Sequence, residues 1–176
     1  VVLDLEHLQT KIGILILHTN PKTSNVGILN ELGWISIKGW ADLLRLRLYY
    51  RLYRLNSDRL TKRIFLYSIN HINFKTANHY LTWAEITFKL FQKYNILYLW
   101  NSDLIFIYDT TEAWKKFTHD LIHNYEASQN YILIQKNLKL ENYYYWNVHF
   151  QLQKYLLYNG LNYKGIFELV KLRLSS

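Results

Sequence analysis

Residues 36–55, SIKGWADLLRLRLYYRLYRL, constrain the fold more than any other stretch, because two side-chain chemistries recur there at helical spacing with no proline to interrupt them. Leu44, Leu48, Leu52 and Leu55 fall on one stripe of a helix, and Arg47, Arg51 and Arg54 fall on another. Leu43, Leu46, Tyr50 and Tyr53 cover most of the remainder, which predicts a long helix that is buried on most sides and carries an arginine ridge at its surface. Ser36 is placed to cap it. Asn56-Ser57-Asp58 then supply a turn and an N-cap for a further helix bearing Arg59, Lys62 and Arg63, and the two basic segments are expected to share a face.

The same reasoning extends to both sides. Leu5, Leu8, Ile12 and Leu15 predict a helix over 3–17 that ends before His18-Thr19-Asn20-Pro21, where the chain's single proline breaks it. Thr23 or Ser24 is expected to cap a short helix containing Val26, Ile28, Leu29 and Leu32, with Gly33 as its left-handed stop. Helices are expected at 79–94, around Trp83, Ile86 and Leu90, and at 111–128, capped by Thr110 or Thr111, with Trp114, Phe117, Leu121 and Ile122 inward. Between them, LYLW and LIFIY flank Asn101-Ser102-Asp103 and read as a small β-hairpin around 96–108 or as two buried extended pieces. A short apolar segment to Leu140, an aromatic helix over about 143–158, a turn at Asn159-Gly160 and a last helix to Leu174 complete the reading. The expected class is all-α, an irregular multi-helix bundle, in a single domain over 1–176 with an internal boundary near the polar stretch 70–78.

The chain has 176 residues, half of them apolar, which is enough for a real core. Its net charge of +8 is concentrated. Between Lys38 and Ile64 eight cations (Lys38, Arg45, Arg47, Arg51, Arg54, Arg59, Lys62 and Arg63) face only Asp42 and Asp58, a density that attracts phosphate. Cysteine is absent, which removes disulfides, cysteine-zinc sites and thiol catalysis. Methionine is absent even at position 1, so the chain reads as a piece of a longer reading frame. The longest aliphatic run, Ile12–Leu17, is far short of the roughly 20 residues a membrane span requires, and Asp4 and Glu6 do not suit a signal peptide, which predicts an intracellular chain, nuclear or cytoplasmic.

Arg45, Arg47, Arg51, Arg54, Arg59, Lys62 and Arg63 are therefore the candidate nucleic-acid contacts. Arginine's planar fork donates two hydrogen bonds to one phosphate, and each neutralised phosphate releases counterions, so binding should weaken steeply with salt. Tyr49, Tyr50 and Tyr53 interleave with these arginines in a pattern that suits bases as well as a core. His119 and His123 have the four-residue spacing of two zinc ligands, but Asp120 stands where a zinc-protease helix needs glutamate and no third ligand is near. Tyr108-Asp109 lacks the second aspartate of a polymerase metal motif. No catalytic residue, cofactor or metal is assigned, no small-molecule substrate is expected, and the chain is expected not to be an enzyme.

Taken in order, Leu5-Glu6, Lys22-Thr23-Ser24-Asn25, Glu31-Leu32-Gly33-Trp34, Tyr50-Arg51-Leu52 and Arg59-Leu60 resemble the landmarks of the region that follows the reverse transcriptase domain in non-LTR retrotransposon polyproteins. Trp83, Tyr98-Leu99-Trp100, Trp114, the stretch from Leu138 to Tyr143 and the ending Lys171-Leu172-Arg173-Leu174-Ser175-Ser176 are similar to later landmarks of that region. The resemblance implies a helical connector between an RNA-directed DNA polymerase domain upstream and a zinc knuckle downstream, with element RNA or target DNA as its partner. Ile35-Ser36-Ile37 departs from the proline that often follows the Gly-aromatic pair. Two other readings remain open: a structural subunit of a ribonucleoprotein such as an organellar ribosome, and a decayed element fragment without function. A membrane-surface role fits less well with arginines on a helix expected to be buried.

Overall fold

The long apolar stretches at 2–17, 37–53 and 111–135 fold as helix. A computed structural model describes residues 2–72, 81–137, 140, 143, 150–157 and 163–174. Among the described residues there are seven α-helices and no strand: α1 (Val2–Leu17), α2 (Asn25–Leu32), α3 (Ile37–Tyr53), α4 (Leu60–Asn70), α5 (Trp83–Lys93), α6 (Thr111–Gln135) and α7 (Tyr163–Leu174). The class is all-α, as the spacing predicts. The chain divides into two compact units, 1–40 with 123–176, and 41–122, so the division falls inside α3 and α6. The stretch 70–78 expected as a boundary lies within the second unit, and its residues 73–78 lie outside the described residues. So do the turn at Asn159-Gly160 and, of the aromatic helix expected over 143–158, residues 144–149 and 158; the described stretch 150–157 does not form that helix, because Leu152 is held in a bridge to Leu32 and 154–157 closes as a 3-10 turn.

The first unit is built around Leu17, Ile28, Leu32, Ile134, Leu140, Tyr143, Val170 and Leu174. Its packing is set by two glycines. A Cβ on Gly13 would fall 2.4 Å from Ile28 Cγ2, so α1 and α2 meet face to face only because that atom is missing. As a result α1 buries Thr10, Gly13 and Leu17, whereas Leu5, Leu8, Ile12 and Leu15, the residues whose spacing predicts the helix, point outward. Gly33 ends α2 in the left-handed region (φ +62°), and its missing Cβ admits the backbone of Gln151 and Leu152, which pairs with Leu32 in an isolated antiparallel bridge. Position 24 is the α2 N-cap, as expected, although Ser24 bonds to Asn137 (2.9 Å) rather than to a helix amide.

In the second unit α3 presents Leu43, Leu46, Tyr49, Tyr50 and Tyr53 to the core. Ser36 caps it by accepting from Gly39 N at 3.0 Å. The leucine stripe is not the buried one: Leu44 is 60 % and Leu48 41 % exposed, so α3 is buried on one side only. The larger aromatic rings decide the rotation. Tyr49 lies 4.7 to 5.3 Å from the rings of Phe65, Phe91 and Trp100, contacts that leucine on that face would forfeit. Leu48→Ala is accordingly expected to change stability by less than about 1 kcal/mol in a denaturant melt; a loss above 2 would mean that α3 is rotated.

Several boundaries differ from the sequence expectation. The N-cap of α4 is Arg59, because Asp58 is drawn into the turn through its own N–H to Asn56 Oδ1 (3.2 Å). The expected hairpin is instead two 3-10 turns, Leu97–Leu99 and Asp103–Ile107. Asn95 and Asn101, each with positive φ, redirect the chain before either run can extend, and each turn buries one side chain, Leu99 or Ile105. Finally, α6 does not stop at Ser128 but runs to Gln135, since no breaker intervenes and Ile134 still has a core to reach. Thr110, one of the two expected caps of α6, accepts from Ala113 N at 3.0 Å, whereas α5 begins at Trp83 rather than at the expected 79, because Thr82 with Glu85 forms a reciprocal capping box there.

Candidate nucleic-acid interface

Helical geometry separates the candidate cations into groups with different jobs. Arg47, Arg51 and Arg54 lie within a narrow arc of α3, while Arg45 is nine residues before Arg54, two and a half turns away, and so sits on the opposite side. There it reaches toward Asp42 (3.9 Å). Asp42 is a buried carboxylate whose Oδ2 also accepts from Lys93 Nζ (2.8 Å) and the Tyr94 hydroxyl (2.9 Å), so Arg45 belongs to a structural charge cluster. Arg54 is likewise engaged. Its guanidinium donates to the Tyr50 hydroxyl (2.7 Å) and the Asp109 carbonyl, and Tyr50 in turn donates to the Tyr108 carbonyl, fastening the segment ahead of α6 to α3.

Lys62 is only 8 % exposed. Its ammonium donates to the Tyr53 carbonyl and lies 4.3 Å from the centre of the Tyr53 ring, and burial pushes its pKa below the usual lysine value. It serves the core rather than the surface. Arg47 is half-buried, with its Nε closed off from solvent and without a hydrogen-bond partner. Arg51, Arg59 and Arg63 are exposed, and their guanidinium groups make no hydrogen bond or ion pair with any described residue. The accessible cationic set is thus Arg51, Arg59 and Arg63, with Arg47 at its margin.

The three tyrosines that interleave with the arginines are all core. Tyr49 and Tyr50 are enclosed, Tyr50 stacks on Trp114 (4.8 Å, 8°), and Tyr53 packs on Phe65 and Phe106, so none can take a base. An exposed aromatic stands elsewhere. Tyr67 on α4 is 66 % exposed and stacks on His71 (centroids 4.2 Å apart, 19°) one turn further on. The signal was in the sequence: Arg59, Arg63, Tyr67 and His71 recur at every fourth residue, opposite the buried Lys62, Phe65 and Ile69.

The remaining clusters are structural in character. Glu31, fully buried, pairs with Arg173 (3.0 Å) and accepts from the Tyr143 hydroxyl (2.6 Å), which itself accepts from Asn30 Nδ2 (2.9 Å). Glu31, Tyr143 and Arg173 therefore meet in one network inside the first unit. His119 Nδ1 lies 3.5 Å from Asp120, the His123 ring packs on Phe150, and no group of three or more metal-binding side chains occurs among the described residues. An apolar cleft of about 550 Å³ in the first unit is lined by Ile16, His18, Leu32, Leu156 and Phe167. No helix among the described residues is long and apolar enough to cross a membrane. No protein family's profile matches the chain, and neither the curated proteins nor the solved structures contain a significant match to it.

Proposed function

We propose that this chain is a non-catalytic helical segment that grips RNA or DNA phosphates through α3 and α4, of the kind that follows the polymerase domain in non-LTR retrotransposon polyproteins. One observation carries the reading: Arg51, Arg59 and Arg63 project from these helices with no partner among the described residues. Arginines held only by solvent keep a high local potential and can meet phosphate bidentately without first breaking an internal bond. Their position among the landmarks supports the reading further. Glu31, Gly33, Tyr50, Trp114 and Arg173 each have an evident structural task, whereas the side chains of Arg51 and Arg59 have none. The outward stripe of Leu5, Leu8, Ile12 and Leu15 on α1 suits a covering protein surface, which in this reading is the upstream polymerase domain. That same stripe favours, as a second reading, a subunit embedded in a larger ribonucleoprotein.

Replacing Arg51, Arg59 and Arg63 together by glutamine tests the reading. The slope of log K against log salt should fall by about two to three for duplex or single-stranded ligands, with the helical circular dichroism unchanged. Binding with the parent's affinity and salt slope would overturn the arginine grip.

A further inference from the structure

Resting on the phosphate-binding reading above, we infer that α4 carries a stacking platform for an unpaired base, formed by Tyr67 and His71 and flanked by Arg63, so that the preferred ligand is single-stranded nucleic acid. Four observations converge on it. Tyr67 and His71 are both exposed and already stacked, so one face of each ring is occupied and the outer face is presented flat. The stack is held by the backbone: His71 Nδ1 donates to the Tyr67 carbonyl at 3.0 Å, and the His71 N–H bonds to the same oxygen at 3.1 Å, which fixes the ring at the helix end. Arg63 lies one turn before Tyr67 and Arg59 one turn before that, placing phosphate donors along the line of the rings. At Asn70, the residue before His71, Oδ1 accepts from Asn101 Nδ2 at 2.9 Å, and Asn101 is itself pinned through its N–H to the Tyr49 hydroxyl (2.9 Å). The exposed amide pair keeps further donor and acceptor positions for a base edge.

Bases inside a duplex are stacked on one another and cannot lie on a side-chain ring, whereas a single strand offers its faces freely. Arginines alone would not distinguish the two. An aromatic pair in line with them does, because stacking adds to the phosphate grip only when the base is unpaired.

The test compares an unstructured RNA 12-mer, a DNA 12-mer of the same sequence and its duplex, against the parent chain, Tyr67→Ala and Tyr67→Phe. Tyr67→Ala should lose about fivefold or more in affinity for both single strands, leave the duplex within about twofold and keep the parent's salt slope; Tyr67→Phe should restore single-strand binding. A 2-aminopurine placed in the single strand should change its fluorescence on binding the parent and not on binding Tyr67→Ala. Single-strand binding unchanged in Tyr67→Ala, or a loss equal for duplex and single strand, would overturn the platform while leaving the arginine grip intact. Failure of the parent chain to bind any of the three at low salt would overturn the grip and the platform together. Self-association that Tyr67→Ala abolishes, without an effect on single-strand binding, would assign the surface to a protein contact and overturn the platform.

Discussion

Glu31→Ala is expected to destabilise the first unit by about 3–5 kcal/mol, because it removes one half of a buried ion pair and leaves the other half without a counter-charge. Glu31 is fully enclosed, and the Arg173 side chain with which it pairs is mostly so. The substitution strips Arg173 of its carboxylate and the Tyr143 hydroxyl of its acceptor in one step. Arg173 also lies over the Tyr143 and Tyr155 rings, 5.4 and 5.3 Å from their centres, so its charge is held in apolar surroundings that penalise it once unpaired. A urea melt followed by circular dichroism reads the effect. Glu31→Leu with Arg173→Met should recover most of the loss, since deleting both charges removes the desolvation cost along with the attraction. A loss below 1 kcal/mol for Glu31→Ala would mean that the pair does not form.

That network also shows what the sequence could and could not convey. Several local signals were legible: Gly33 as a left-handed stop, Ser36 and Thr110 as caps, and Pro21 as a break are decided by the backbone within a few residues of themselves. The meeting of Glu31 with Arg173 was not, since it spans 142 residues and no periodicity encodes it. Helix rotation was the systematic error. On α3 both the leucine stripe and the aromatic stripe are apolar and helical in period, so the pattern alone gives two solutions. Burial of Tyr49 and Tyr50 wins because a ring offers more contact area than a leucine and because their hydroxyls find Asn101 N and the Tyr108 carbonyl. On α1 the deciding residue was a glycine, whose contribution to packing is an absence that hydrophobic patterning does not score.

The cationic face was legible as a region but not in its membership. A charge run marks a region, and the jobs of individual cations depend on which neighbours the fold supplies. Arg45 is taken by Asp42 and Arg54 by Tyr50, each about one turn back on α3, while the Asp109 carbonyl on Arg54 and the Tyr53 carbonyl on Lys62 are contacts that the helical wheel of α3 or α4 alone does not bring together. The exposed aromatic on α4 is masked in the sequence because three tyrosines among the α3 arginines offer a denser pattern. Density of aromatics on a long helix is better evidence for a core than for a surface, since large rings are the side chains that most repay burial.

Trp114→Ala should cost the second unit about 3–5 kcal/mol, and here the reasoning runs from the ring outward. Trp114 is fully buried, lies parallel to Tyr50 at 4.8 Å, meets Tyr108 edge-on at 5.3 Å and donates its indole N–H to the Leu46 carbonyl at 3.1 Å. Truncation opens a cavity between α3 and α6 and leaves Tyr50 without its stacking partner, which carries about 0.5–1.5 kcal/mol beyond area alone. Trp114→Phe should recover part of the packing but not the bond to Leu46. Because Tyr50 also joins Arg54 to the Tyr108 carbonyl, the damage spreads to the fastening at the end of α3 rather than staying in the core. Tyr50→Phe separates the two effects: it keeps the stack on Trp114 and deletes the hydroxyl, so its cost should be near 1 kcal/mol. If Trp114→Ala and Tyr50→Phe melt alike, the hydroxyl network dominates and the stack contributes little. The geometry predicts the opposite order, in which losing the indole ring costs more than losing the hydroxyl.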